Sequence, residues 1–98
     1  MDVAVSYNIS DEQKIDRLAV ALNALTRRKI LRLVSEKSYS VMELAAKLNI
    51  SISNTTFHLK LLKAADLIKI LPNPNKRGNE KIISQGIAIA TLNFKSAL

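Results

Sequence analysis

Apolar residues recur at helical spacing in four stretches of this chain, and polar residues ahead of each mark where a helix would begin. Ile15, Leu18, Ala19 and Leu22 form the first stripe. Ser10 with Gln13 is a capping-box pattern, so a helix is expected from about Asp11 to Leu22, with Asp11 and Glu12 favourably placed in its first turn. Ile30, Leu31, Leu33 and Val34 form the second stripe, with Thr26 as the expected cap. Val41, Leu44, Ala45 and Leu48 form the third. It is opened by Ser40 and Glu43 at capping-box spacing and followed by Asn49, a residue that tolerates the left-handed conformation at a helix end. A new start signal comes at once at Ser51, for a helix to about Ala65. Two helices this close in sequence must turn sharply.

Past Ala65 the pattern changes. Leu67 to Leu71 and Glu80 to Ser84 are aliphatic, β-branched runs. Pro72, Asn73, Pro74 and Asn75 break the chain between them, and Lys76, Arg77, Gly78 and Asn79 complete a basic tip. This reads as a hairpin wing beside the two-helix unit. Met1 to Ile9 has no sustained period and reads as an extended arm. In 85–98, Ile87, Ile89, Leu92 and Phe94 mix a two-residue period with a helical one, so strand and helix both stay open. The expected fold is mainly α with a small β-hairpin, a winged helix-turn-helix, in a single domain over 1–98.

The helix opened by Ser51 has two unlike faces. Thr55, Leu59 and Leu62 share one, while Ser53, Asn54, Thr56, Phe57 and Lys60 point elsewhere. That second face is short-sided, polar and nearly uncharged, whereas a merely solvated helix more often carries Glu and Lys four apart. Hydroxyl and amide groups near a helix N-terminus suit base edges and phosphates. A well-capped polar helix start is the plain alternative.

Charge adds weight to a nucleic-acid reading. The formal net charge is +7, unevenly placed: residues 1–25 carry two basic and four acidic side chains, and residues 26–98 carry thirteen and four. A basic body is the electrostatic footprint of phosphate binding. Arg27, Arg28, Lys29 and Arg32 cluster at the start of the second helix; Arg27 is the candidate phosphate contact, and a solvated face is the alternative. Lys76 and Arg77 at the wing tip can follow the flanking backbone or enter a minor groove.

Cysteine is absent, which excludes disulfides, thiolate metal sites and cysteine nucleophiles. His58, the one histidine, lacks the partners a metal ligand needs. There is no Gly-rich phosphate loop and no His with paired carboxylates, so neither an enzyme nor a cofactor is expected. No run approaches the ~18 apolar residues of a membrane span, and the N-terminus lacks the basic region of a signal peptide. No membrane partner is expected, and the cytoplasm is the default location.

The runs LTRRKILRLV and SVMELAAKLNISISNTTFHLKLLKAADLIKI resemble the ArsR-type winged-helix transcriptional repressors of bacteria and archaea, over roughly Leu18 to Ser84. The resemblance implies a homodimer on a palindromic operator in double-stranded DNA. Ser51, Ser53, Asn54, Thr56, Phe57 and Lys60 would face the major groove, and Lys76 and Arg77 would lie on the wing. Residues 10–25 and 85–98 would supply the dimer interface, unless a longer native protein covers the tail with a further domain. Metal-sensing members carry paired cysteines where this chain has Ser40 and Met42, and Thr91 to Leu98 offers no acidic or histidine ligands, so neither kind of metal site is expected. Asn49 and Asp66 stand where the family usually has glycine. The expected function is sequence-specific DNA binding as a dimeric regulator, acting as a repressor, whose effector leaves no trace in the sequence; the rival is a winged-helix docking module that never meets DNA.

Overall fold

The computed structural model describes residues 2–73 and 80–95. Their elements run β1 (Val3–Asn8), α1 (Glu12–Leu22), α2 (Leu25–Glu36), β2 (Tyr39–Ser40), α3 (Val41–Leu48), α4 (Ile52–Ala64), β3 (Ile68–Pro72), β4 (Lys81–Gln85) and β5 (Ile87–Asn93). The four helices and the hairpin stand where the sequence places them. The open question about 85–98 resolves as strand over Ile87–Asn93: β5 pairs in parallel with β1, in register from Ala4 with Ile89 to Asn8 with Asn93. The N-terminal arm is thus extended over Val3–Asn8, as expected, and laddered to Ile87–Asn93.

Two helix starts differ from expectation. Helix α1 is capped by Asp11, whose side chain accepts from the Lys14 N–H, and not by Ser10. The ladder fixes this choice. Ile9 N–H donates to the Asn93 carbonyl and Asp11 N–H to the Asn8 carbonyl, which holds Ser10 inside a tight turn. Helix α2 starts at Leu25 after Ala24, without a side-chain cap, and Thr26 lies within its first turn.

Helix α3 carries the full capping box. Glu43 N–H donates to Ser40 Oγ at 3.1 Å, and Ser40 N–H donates to Glu43 Oε1 at 2.9 Å. The Ser40 N–H first, and the Ser40 hydroxyl after it, hold the Glu43 carboxyl below its ordinary pKa. The helix ends at Asn49 with φ 54°, and the Ser51 side chain then accepts from the Asn54 N–H to start α4. Helix α4 is capped by Ala65, and Asp66 just beyond it, with φ 59°, is the second left-handed residue. Both sites where the family usually has glycine therefore adopt the conformation that glycine would make easier.

One core unites these elements. Leu18 and Ala21 of α1, Ile30 and Val34 of α2, Tyr39, Leu44 of α3, Leu59 and Leu62 of α4, and Ile68 and Ile83 of the wing are all buried in one cluster. Strand β4 is central in the wing sheet, flanked by β2 and β3, so the wing is stitched to the start of α3.

The chain leaves the wing sheet and enters the ribbon at Gly86. Its N–H donates to the Leu67 carbonyl, and the next, from Ile87, donates to the Asp66 carbonyl. A Cβ on Gly86 would come within 2.4 Å of the Asp66 carbonyl oxygen, which is backbone and cannot step aside. Gly86→Ala is therefore expected to destabilise the domain by about 1–3 kcal/mol, as overpacking against a fixed neighbour does. Thermal unfolding of the variant checks this; an unchanged midpoint would show that the junction is looser than its geometry.

Candidate nucleic-acid interface

Helix α4 is held by one face. Thr55, Leu59 and Leu62 are buried, and the Thr55 hydroxyl donates to the Ser51 carbonyl at 2.8 Å, so even the polar anchor is satisfied. Ser51, Ser53, Asn54, Thr56, Phe57 and Lys60 are all exposed. Phe57 is 57% exposed, a large ring with little cover. The structure thus gathers the six groove candidates on the free side of one helix. Ser51 is already engaged, its Oγ accepting from the Asn54 N–H at 3.0 Å.

Beside this face runs a trough of about 470 Å³ between α4 and the wing, lined in part by Thr56, Lys60, Lys63, Ile70 and Lys81. Its floor is aliphatic and three ammonium groups stand around it. Lys63 and Lys81 did not enter the sequence reading of the site. Lys63 could have been found from its spacing of three from Lys60, which puts both on one helix face. Lys81 could not, because its place beside α4 depends on strand pairing. Lys76 and Arg77 lie outside the described residues.

The phosphate-facing role expected of Arg27 is corrected. Arg27 is 7% exposed, and its guanidinium points inward. Nε donates to the carbonyls of Val20 at 3.1 Å and Ala21 at 3.2 Å, Nη2 donates to Val20 at 2.8 Å, and Nη1 lies 3.0 Å from His58 Nδ1. The cause is local to the helix end: the last carbonyls of α1 have no partners within their own helix and carry the negative end of its dipole. Arg28 serves the same end, donating to the Leu22 carbonyl at 2.7 Å. Two of the four clustered cations are thereby turned toward α1.

His58 is half-buried on α4. Burial and the neighbouring Arg27 charge both push its pKa below the ordinary value. Among the described residues no cluster of His, Asp and Glu could hold a metal ion, and no helix is long and apolar enough to cross a membrane.

Residues 25–69 match the family model described as bacterial regulatory protein, arsR family. No curated protein matches the chain. Among solved structures, HlyU from Vibrio cholerae superposes with a TM-score of 0.66 at 22% identity, over 82% of this chain and 83% of that one. NolR from Sinorhizobium fredii gives 0.64 at 21% identity, over 78% of this chain and 72% of that one. A homodimeric winged helix-turn-helix DNA-binding domain from Mycobacterium bovis gives 0.63 at 19% identity, over 74% of this chain and 64% of that one. The matched segment spans α2, α3, α4 and the start of β3, the elements that position the exposed face of α4. Segment and fold agree: residues 25–69 are similar to the arsR family, and the elements around them form a winged helix-turn-helix.

Proposed function

We propose that this protein binds double-stranded DNA sequence-specifically as a homodimeric transcriptional regulator, with repression by occupancy as its mode and the cytoplasm as its location. The observation that carries the reading is the free face of α4, where Ser53, Asn54, Thr56 and Lys60 are exposed while the opposite face is locked into the core. In a major groove, Asn54 can pair with an adenine edge, Ser53 and Thr56 can read either donors or acceptors, and Phe57 can meet a thymine methyl. Lys60, Lys63 and Lys81 stand around the adjoining trough, and Lys76 and Arg77 sit in sequence between β3 and β4. These five cations would set register through phosphates.

A homodimer is supported by the ribbon. Strands β1 and β5 carry no charge and no proline, the usual guards of a free edge. Ile89, Leu92 and Phe94 are exposed, as are Val20 and Leu22 on α1. An isolated two-stranded ribbon is marginal in water. A second copy covering residues 10–25 and 85–98 would remove this surface from solvent, and it would place two α4 helices for successive major grooves.

A docking module is the second reading, favoured by the exposure of Phe57 and Ile52. Selection from randomised duplexes at two salt concentrations separates the two. A two-fold symmetric site bound with steep salt dependence is the expected result, and no binding at low salt would favour docking. With the selected site, Lys60→Ala and Lys63→Ala should each flatten the salt slope by about 1. Asn54→Ala should cost about 1–3 kcal/mol at one base pair; if it alters neither affinity nor preference, the groove assignment is wrong. Ile89→Lys should convert the dimer to monomer in sedimentation at unchanged helix content, and a persistent dimer would place the interface elsewhere.

A further inference from the structure

Arg27 joins three helices at one point. It projects from α2, its Nε and Nη2 serve the Val20 and Ala21 carbonyls of α1, and its Nη1 meets His58 of α4 at 3.0 Å. A guanidinium has donors only and stays protonated throughout the accessible pH range. His58 Nδ1 must therefore be the acceptor, which fixes a neutral imidazole with its proton on Nε2. A protonated His58 would set two N–H donors and two positive charges against each other. The imidazole also lies against the Phe57 ring, edge-on with centroids 5.5 Å apart, so it connects the guanidinium to the exposed face of α4.

We propose that Arg27 is a positioning residue for the recognition helix, acting through neutral His58, and that protonation of His58 releases α4 from this hold and lowers DNA affinity. The proposal rests on the reading of α4 as the DNA-facing helix. The charged groups of the packed elements leave Arg27 as the one that meets the imidazole. On α1, Asp16 and Arg17 line the seam with Val20, Leu61 and Ala64. On α3, Glu43 is bound to Ser40, and Lys47 lies over the Tyr39 ring. Lys69 of β3 is exposed.

The sign follows from the depressed histidine pKa. Such a group stabilises the folded arrangement fully above its unfolded value of about 6.5, and this contribution is lost as pH falls through the lower folded value. Acidification by itself makes the chain more cationic and should strengthen phosphate binding. The proposal thus predicts the opposite direction from simple charge.

Fluorescence anisotropy with a labelled mixed-sequence duplex, at fixed ionic strength from pH 7.5 to 5, provides the test. Wild-type affinity is expected to fall on acidification, by up to about tenfold per pH unit once His58 titrates. His58→Asn keeps an acceptor near Nδ1 and does not titrate, so it should retain neutral-pH affinity and lose the acid decline. Arg27→Met should bind more weakly at neutral pH, without a histidine step. Nitrogen NMR of the imidazole should show the Nε2–H tautomer, and amide exchange along α4 should accelerate with its protonation. An Nδ1–H tautomer at neutral pH, or a wild-type profile identical to that of His58→Asn, would overturn the proposal. Absence of DNA binding at every pH would refute the functional reading instead, while tautomer and exchange would still decide whether Arg27 holds α4 through His58.

Discussion

The close backbone approach between Gly86 and the Asp66–Leu67 turn is the constraint on which the rest of the structure depends. Three parts of the molecule end there. Helix α4 finishes just before the left-handed Asp66, the wing strand β3 departs just beyond it, and β4 passes into β5 through Gly86 alone. Two backbone hydrogen bonds close the junction, from Gly86 to Leu67 and from Ile87 to Asp66. The C-terminus of α4, the base of the wing and the root of the ribbon therefore share one frame. Without that closure the free face of α4 would have no fixed orientation relative to Lys81 of the wing or the β1–β5 surface.

Much of this frame was legible because it is built from short-range chemistry. The starts of α3 and α4 follow from Ser40, Glu43 and Ser51, whose side chains act within three residues. The left-handed positions Asn49 and Asp66 were visible as departures from glycine. The division of α4 into a buried and a free face needed only helical periodicity around Thr55, Leu59 and Leu62.

What was not legible depends on partners distant in sequence. The direction of Arg27 is set by carbonyls at the end of another helix and by a histidine 31 residues away. As a sequence feature it was one of four clustered cations; in space it is an internal tie. The pairing of β1 with β5 joins the two ends of the chain, and it moved the α1 cap from Ser10 to Asp11 by drawing Ile9 into the ladder. Lys81 came to the trough beside α4 only through the wing register, which sets it opposite Pro72.

The missing cap of α2 has a consequence for how the domain holds together. Its first turn carries Arg27 and Arg28, cations at the end of a helix where the dipole is unfavourable to them. That burden is offset by the carbonyls of Val20, Ala21 and Leu22, which belong to α1. The similarity to the family starts at Leu25, yet the physical unit starts earlier. A fragment cut at Leu25 would strip both guanidinium groups of their α1 carbonyls and leave a frayed helix start. Folding cooperativity should therefore embrace α1, α2 and α4 together, and the smallest autonomous piece of this protein is larger than the segment by which it is recognised.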